Sequence, residues 1–323
     1  MGMNEEITKK RKRKRKRKNK NLWLKITLGF VSTLIILILI GVFSIYSLLN
    51  KVDNVKLDNT DLSINTEEIK ESYDDDKIKD IKNIALFGID SEDGITGRSD
   101  SIMIATIDST HKKLKLTSIM RDSYVNIEGY GMDKINHAYA YGGPELAIKT
   151  INSNFGLNIE DFVAVNFSSL PVIIDLLGGV DITITEEEVP HIPGINSSGT
   201  YTLNGDQALS YSRIRYATGG DYVRTERQRT VLNRLFNKLA TQSVTSYPGI
   251  LSTVLPYVQT NMTSNDMLAI ASKATSIIQN GLIQDRFPRD GYGEGITIDG
   301  VYYLSYDLET AKKQMMDYIF DDK

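Results

Sequence analysis

The sequence predicts a layered α/β domain carried outside a membrane by a single apolar helix. Three observations carry this. Strand-like and helix-like segments alternate through the middle of the chain, a long uncharged run lies near its start, and charge is divided sharply around that run. The 323 residues include 38 Lys+Arg and 41 Asp+Glu, a net charge of -3. Within residues 1–20, however, there are 11 basic and 2 acidic side chains, so the tail is +9 and the remainder -12.

Residues 1–25 form a basic tail, almost continuous Lys and Arg from Lys9 to Lys20. Such a run can neutralise nucleic-acid phosphates. It abuts an apolar segment, however, and Lys/Arg-rich flanks stay cytoplasmic, so no nucleic acid is expected as a partner. Residues 26–50 carry no formal charge. As a helix they reach roughly 37 Å, enough to cross a hydrocarbon core of about 30 Å. A cleaved signal peptide would have a shorter apolar run and a small-residue cleavage site, and Ser47-Leu48-Leu49-Asn50 offers none. Trp23 stands where an indole favours the headgroup zone. The expectation is a single-pass type II protein of the cell membrane, its N-terminus cytoplasmic and its body extracellular, with membrane lipid as a partner. Residues 51–80, with ten acidic residues against five lysines, read as a solvated extracellular stalk. Residues 81–323 suit one globular domain.

In that domain, 84–89 is a continuous apolar run ending on Asp90, consistent with a buried strand. Residues 101–107 and 113–120 are β-rich, and Asp108 to Lys112 reads as the turn of a hairpin. A helix is expected from Pro144 to the residue before Gly156. Then follow a strand at 162–167, a short helix at 170–177 closed by Gly178-Gly179, a strand at 180–184 and a helix-like segment at 205–211. The clearest helix spans 221–241, with Val231, Leu232, Leu235 and Leu239 as its apolar stripe. Helices are expected on both faces of the sheet.

The familiar catalytic signatures are missing. There is no cysteine, and none of the three histidines stands at His-x-x-x-His spacing, which argues against a zinc enzyme. Neither a Gly-x-Ser-x-Gly elbow nor a Walker-type phosphate loop occurs. Arginine clusters instead: Arg213, Arg215, Arg224, Arg227 and Arg229 fall within 17 residues. Arg213 and Arg215 would point the same way from an extended segment. Arg224, Arg227 and Gln228 would share a face at the start of the long helix. Arginines there are unfavourable beside the helix dipole unless an anion or acidic partners such as Asp221 and Glu226 offset them. A phosphate or diphosphate, gripped by guanidinium forks, is the expected anion. Arg98 and Asp100 follow the first strand, and Arg121-Asp122 closes the third, where α/β domains build sites. Singly, each Asp is an ordinary turn residue. Together, Asp90 and Asp100 beside a bound diphosphate would suit Mg²⁺.

These segments, in order, resemble the LytR-CpsA-Psr family of Gram-positive cell-wall proteins. They are Leu86-Phe87-Gly88-Ile89-Asp90, Gly97-Arg98-Ser99-Asp100-Ser101, Arg121-Asp122-Ser123-Tyr124-Val125, Asp133-Lys134-Ile135-Asn136-His137-Ala138-Tyr139, Gly142-Gly143-Pro144-Glu145, Leu176-Leu177-Gly178-Gly179-Val180-Asp181, Leu203-Asn204-Gly205, Tyr211-Ser212-Arg213-Ile214-Arg215, and Asp221 with Arg224, Arg227 and Gln228. The resemblance covers residues 81–240. Beyond 240 it thins, and there the Tyr302, Tyr303 and Tyr306 stretch reads as packing or as a carbohydrate-stacking surface.

The resemblance implies a three-layer α/β/α fold, a central mixed sheet and an apolar lipid pocket. It implies a Mg²⁺-dependent phosphotransferase that moves an anionic glycopolymer (wall teichoic acid, capsular polysaccharide or similar) from undecaprenyl diphosphate to the N-acetylmuramic acid of peptidoglycan. Asp90 and Asp100 would hold the metal. Arg98, Arg121, Arg213, Arg215, Arg224, Arg227 and Gln228 would surround the diphosphate. Arg98, Arg121 and Asp122 would serve catalysis, Asp122 by orienting or deprotonating the acceptor hydroxyl. The family pattern has proline before Arg-Asp where this chain has Met120, which leaves the backbone before Arg121 less constrained. The rival readings are a membrane-bound regulator of envelope gene expression and a non-catalytic polyprenyl-phosphate binding protein.

Overall fold

The computed structural model describes residues 44–57, 61–73, 78–89, 97–166, 169–214, 220–242, 246–277 and 280–323. The chain divides into two units, residues 1–49 and 50–323. Of the first unit, residues 44–49 are described and are helical. The basic tail and most of the expected span 26–50 therefore lie outside the described residues. Among the described residues no helix is long and apolar enough to cross a membrane.

The second unit is built on a mixed sheet. Its strands, with three separate hairpins, run in chain order as β1 (Asp53–Asn54), β2 (Ile81–Ile89), β3 (Ser99–Asp108), β4 (Lys113–Ile119), the hairpin β5 (Tyr124–Ile127) with β6 (Gly131–Lys134), β7 (Asp161–Asn166), the hairpin β8 (Val180–Ile184) with β9 (Gly199–Leu203), β10 (Val258–Thr260), β11 (Leu282–Phe287), and the hairpin β12 (Gly293–Ile298) with β13 (Val301–Tyr306). Among the described residues the main sheet has the order β1-β10-β7-β2-β3-β4-β11. β2 is antiparallel to β3 and parallel to β7, and β4 is parallel to β11.

Alternation along the central strands feeds two cores, because successive side chains leave opposite faces. Ala85, Phe87 and Ile89 of β2, with Ile102 and Ile104 of β3 and Phe162 and Ala164 of β7, enter the larger core. That core is covered by α1 (Thr66–Ser72), α2 (His137–Phe155) and a C-terminal helix spanning Leu308–Phe320, through Ile69, Ile148, Ile151, Phe155, Met315 and Ile319. Ile84, Leu86, Ile107, Leu114 and Val163 face the other way. Against that side lie α3 (Leu170–Leu176), α4 (Gly205–Arg213) and α5 (Gly220–Ala240), then α6 (Tyr247–Val254), which packs on these helices through Ile250, and α7 (Ser264–Ile277); the C-terminal helix is α8. The three-layer α/β/α arrangement is thus present.

The expected elements of residues 81–240 are found with small shifts in their ends. The helix expected from Pro144 starts earlier, at His137, and is kinked where Gly142 and Gly143 leave helical geometry. Gly143 has φ +63°, open to glycine, and Pro144 begins the straight half. Gly156, also left-handed, ends it. The expectation of a solvated stalk at 51–80 is overturned for its described residues. β1 pairs with β10 at the sheet edge. Leu62 and Ile69 are each 2% exposed within the main core. Asn152 Nδ2 donates to the Leu62 carbonyl at 2.9 Å, Lys149 pairs with Asp61 at 2.6 Å and Lys312 with Glu68 at 2.5 Å. Composition missed this because a few apolar residues set among acids suffice for docking onto a core that already exists.

Candidate active site

Between the second face of the sheet and the helices that cover it lies a cavity of about 470 Å³. Leu86, Met103, Ala105, Ile107 and Leu116 form its floor, Val231, Leu232 and Leu235 of α5 part of its roof, and Ile270 and Ala274 of α7 its far wall. From Ser101 to Ile107 along β3 it extends for about 20 Å. At one end, where Gly88 pairs with Ser101, the lining includes the polar side chains of Ser101, Asn166 and Gln228, the last reaching in from α5.

At that end stands Asp100, 8% exposed. Arg121 Nη1 lies 3.0 Å from its Oδ1, and Asn136 Nδ2 donates to the same oxygen at 3.2 Å. Arg224 Nη2 donates to the Asp100 carbonyl at 3.3 Å. Burial pushes the Asp100 carboxyl up, but the charges of Arg121 and Arg224 and the hydrogen bonds from Arg121 and Asn136 outweigh it. The group is held below the ordinary carboxylate range. Asp122, 6% exposed, lies 2.8 Å from Lys134 Nζ and 3.4 Å from Arg121 Nε.

Secondary structure sets this arrangement. β4 ends at Ile119, so Arg121 and Asp122 start the turn into β5, and Ser123 N–H donates to the Met120 carbonyl at 3.1 Å. Met120 replaces the constraint of a proline with a bond proline cannot make: its N–H donates to the Phe287 carbonyl at 3.1 Å, tying β4 to β11 ahead of Arg121. Ser99 N–H donates to the Asn136 carbonyl and Asn136 N–H to the Arg121 carbonyl, so three separate segments converge by main-chain bonds.

The expected residues fall into three groups. Asp100, Arg121, Asp122, Arg224 and Gln228 lie at or beside the cavity mouth. Asp90 and Arg215 lie outside the described residues, while Arg98 and Arg213 are exposed. Arg213 ends α4 instead of alternating with Arg215 on an extended strand. Arg227 departs from its expected place at the diphosphate. Its Nε is 2.7 Å from Glu188 Oε1, its Nη1 donates to the Ile214 carbonyl at 3.3 Å, and the guanidinium lies 5.9 Å from the Tyr211 ring. At about 100° per residue, adjacent positions 227 and 228 leave a helix on different faces. Gln228 therefore turns toward the cavity while Arg227 clamps α5 to the β8–β9 lobe. Lys134 and Asn136 were missed as site residues, although both sit in the Asp133–Tyr139 motif; only the fold shows that this motif lies against Asp100 and Asp122.

Comparison with known proteins places these features in context. Residues 45–318 match the model of the LytR_cpsA_psr family. The chain is 35% identical over 289 residues to the polyisoprenyl-teichoic acid–peptidoglycan teichoic acid transferase TagU of Oceanobacillus iheyensis, covering 85% of this chain and 87% of that one. It is 38% identical over 183 residues to the regulatory protein MsrR of Staphylococcus aureus, covering 56% of each. Among solved structures, that of the LytR-CPS2A-psr family protein YwtF (TagT) with bound octaprenyl pyrophosphate lipid aligns at a TM-score of 0.59. The identity is 27%, over 75% of this chain and 91% of that one.

Proposed function

The chain belongs to the LytR-CpsA-Psr family, and from that premise we propose that it is a glycopolymer–peptidoglycan phosphotransferase. Its donor is an anionic polymer, a teichoic acid or a related capsular glycan, carried on undecaprenyl diphosphate. Its acceptor is the 6-hydroxyl of N-acetylmuramic acid. One observation carries the reading: a long apolar cavity ends beside arginines and carboxylates, which suits a single ligand with a long apolar tail and a polyanionic head. The names of TagU and of lipid-bound TagT point to the same chemistry.

In this reading the cavity holds the polyprenyl chain, and Arg121, Arg224 and Gln228 receive the diphosphate, with Arg98, Arg213 and Arg215 around it. The acceptor oxygen bonds to the glycan-bearing phosphorus and the bridging P–O bond breaks. Polyprenyl phosphate leaves, and the hydroxyl proton passes to Asp122. Such a transfer needs mainly position and charge neutralisation, which accounts for a site without a side-chain nucleophile. Mg²⁺ is the cofactor this donor set fits. The Asp100 carboxyl is held below the ordinary carboxylate range, and Asn136 Oδ1 beside it is buried without a hydrogen-bond partner; both are hard oxygen donors of the kind Mg²⁺ takes. Asp100 and Asp90 would hold the ion, which when bound neutralises diphosphate oxygens. We place the protein in the cell membrane, type II, with residues 50–323 outside.

The test follows release of polyprenyl phosphate by the full chain from a polyprenyl-diphosphate-linked glycan, with peptidoglycan as acceptor. Mg²⁺-dependent transfer lost in Asp100→Ala and in Arg121→Ala is expected. Tight lipid binding without product, unchanged by either substitution, would leave the binding-protein or regulator reading in its place.

A further inference from the structure

Next to Asp122, on the side away from the lipid cavity, the fold displays a strip of tyrosines. Tyr130 forms the tip of the β5–β6 hairpin between two left-handed glycines, Gly129 (φ +79°) and Gly131 (φ +78°), and its N–H donates to the Ile127 carbonyl at 2.9 Å. It is 56% exposed and stacks on Tyr141, itself 41% exposed, with centroids 4.3 Å apart and planes 12° from parallel. The Tyr141 hydroxyl donates to Asp133 Oδ2 at 2.7 Å. That bond pushes the phenol up to about 12, and Asp133 is followed on β6 by Lys134, whose ammonium lies over the Tyr303 ring, so the stack and Tyr303 meet along one strand.

Tyr303, on β13, continues the strip. Its ring lies 4.8 Å from that of Tyr124, and Lys134 Nζ is 5.6 Å from its centroid and 2.8 Å from Asp122 Oδ1. Tyr124 and Lys134 are cross-strand partners, and Leu304 N–H donates to the Asp122 carbonyl at 2.8 Å. The aromatic strip therefore runs from an exposed hairpin tip to the carboxylate proposed to receive the acceptor proton. Exposed ring faces rimmed by hydroxyl, carboxylate and ammonium groups suit a pyranose chain. Its C–H faces lie on the rings, and its hydroxyls and acetamido groups meet the polar rim. An anionic membrane surface is a poorer match, because Asp133 lies in the strip and the Glu128 side chain, 65% exposed, stands beside its tip.

We propose that this strip docks the acceptor glycan, a strand of linked N-acetylhexosamines, laying its sugars along Tyr130, Tyr141 and Tyr303 so that its reacting hydroxyl arrives at Asp122. The proposal rests on the transferase reading above for the direction of approach, though the surface itself does not depend on turnover. The test uses the full chain in detergent with soluble, uncross-linked peptidoglycan glycan strands as ligand, for wild type, Tyr130→Ala with Tyr141→Ala, and Tyr130→Trp with Tyr141 intact. Loss of two stacking rings is expected to weaken glycan binding about tenfold and to raise the acceptor KM by a similar factor. Octaprenyl diphosphate binding and kcat should hold steady, and the tryptophan variant should bind glycan like wild type. Undiminished glycan affinity in the double variant would overturn the proposal, as would a wild type that binds no glycan. So would a loss confined to binding of phosphatidylglycerol vesicles, which would make the strip a membrane contact. Glycan binding through these rings without any transfer would retain the surface and remove the transferase. Transfer with an unchanged acceptor KM would do the reverse.

Discussion

Arg224 and Arg227 are three residues apart on one helix and look equivalent in sequence, yet their surroundings demand opposite behaviour. Arg227 is 4% exposed and paired with Glu188, whose side chain is 7% exposed. Removing one member of such a buried pair leaves an uncompensated charge, so Arg227→Met should cost about 3–5 kcal/mol of stability in urea unfolding. Lipid-diphosphate affinity should survive in the fraction that folds. Arg224→Met should instead lower that affinity at least tenfold with a smaller loss of stability. Asp100 makes a prediction in pH. Its folded pKa lies below the unfolded value of about 3.9, so its stabilisation is present above that pH and lost as pH falls through the folded value. The gap in Tm between wild type and Asp100→Asn should be constant from about pH 5 to 8 and close below about pH 4. At this scale the residue types were legible: arginines on a helix face and carboxylates at strand ends called for a polyanion. Which arginine turned inward was not legible, because Glu188 comes from 39 residues away and no local pattern announces it.

Among the elements, the central strands and α5 were readable because burial on both faces or along one stripe leaves a strong period. The last 80 residues were not. β11 reads Leu-Ile-Gln-Asp-Arg-Phe, an edge strand half-buried from Leu282 to Arg286 and fully buried only at Phe287, and such a strand carries too little alternation to separate it from a loop. The docking of α8 is equally hidden, since beside the core contacts of Met315 and Ile319 it uses a buried lysine from the sheet. Lys115, on β4, is 1% exposed. It lies 2.9 Å from Asp108 Oδ2 and donates to the Tyr318 and Ile319 carbonyls near the end of α8, at 2.8 and 3.1 Å. A lysine in a strand otherwise rich in Leu and Ile reads as surface in sequence; here it fastens the C-terminal helix to the sheet. Lys115→Met keeps the volume but leaves Asp108, fully buried, without that ammonium. Stability should fall by about 3 kcal/mol. Limited proteolysis should then cut within 308–323 before it cuts the central sheet.

For the molecule as a whole, the boundary between stalk and domain is where composition and structure disagree most, and the disagreement can be measured. If residues 51–80 were a solvated spacer, chains beginning at Asn50 and at Ile81 would melt together. The structure instead gives the segment a strand on the sheet edge, two core side chains, a hydrogen bond from Asn152 and ion pairs to Lys149 and Lys312. Exposed ion pairs contribute little, and Asp61 is open to water, so the weight falls on Leu62 and Ile69. Burying two such side chains is worth about 3–6 kcal/mol. In a domain of this size, that corresponds to a loss of roughly 10 °C in Tm when they are removed. The chain beginning at Ile81 should also expose the sheet edge at β10 and the faces of α2 and α8 that Leu62 and Ile69 cover, and so aggregate at concentrations where the longer chain stays monodisperse. Substituting Leu62 and Ile69 together by Ala in the longer chain should reproduce most of the loss in Tm while keeping β1 on the edge and the chain soluble. Equal melting of the two chains would restore the spacer reading.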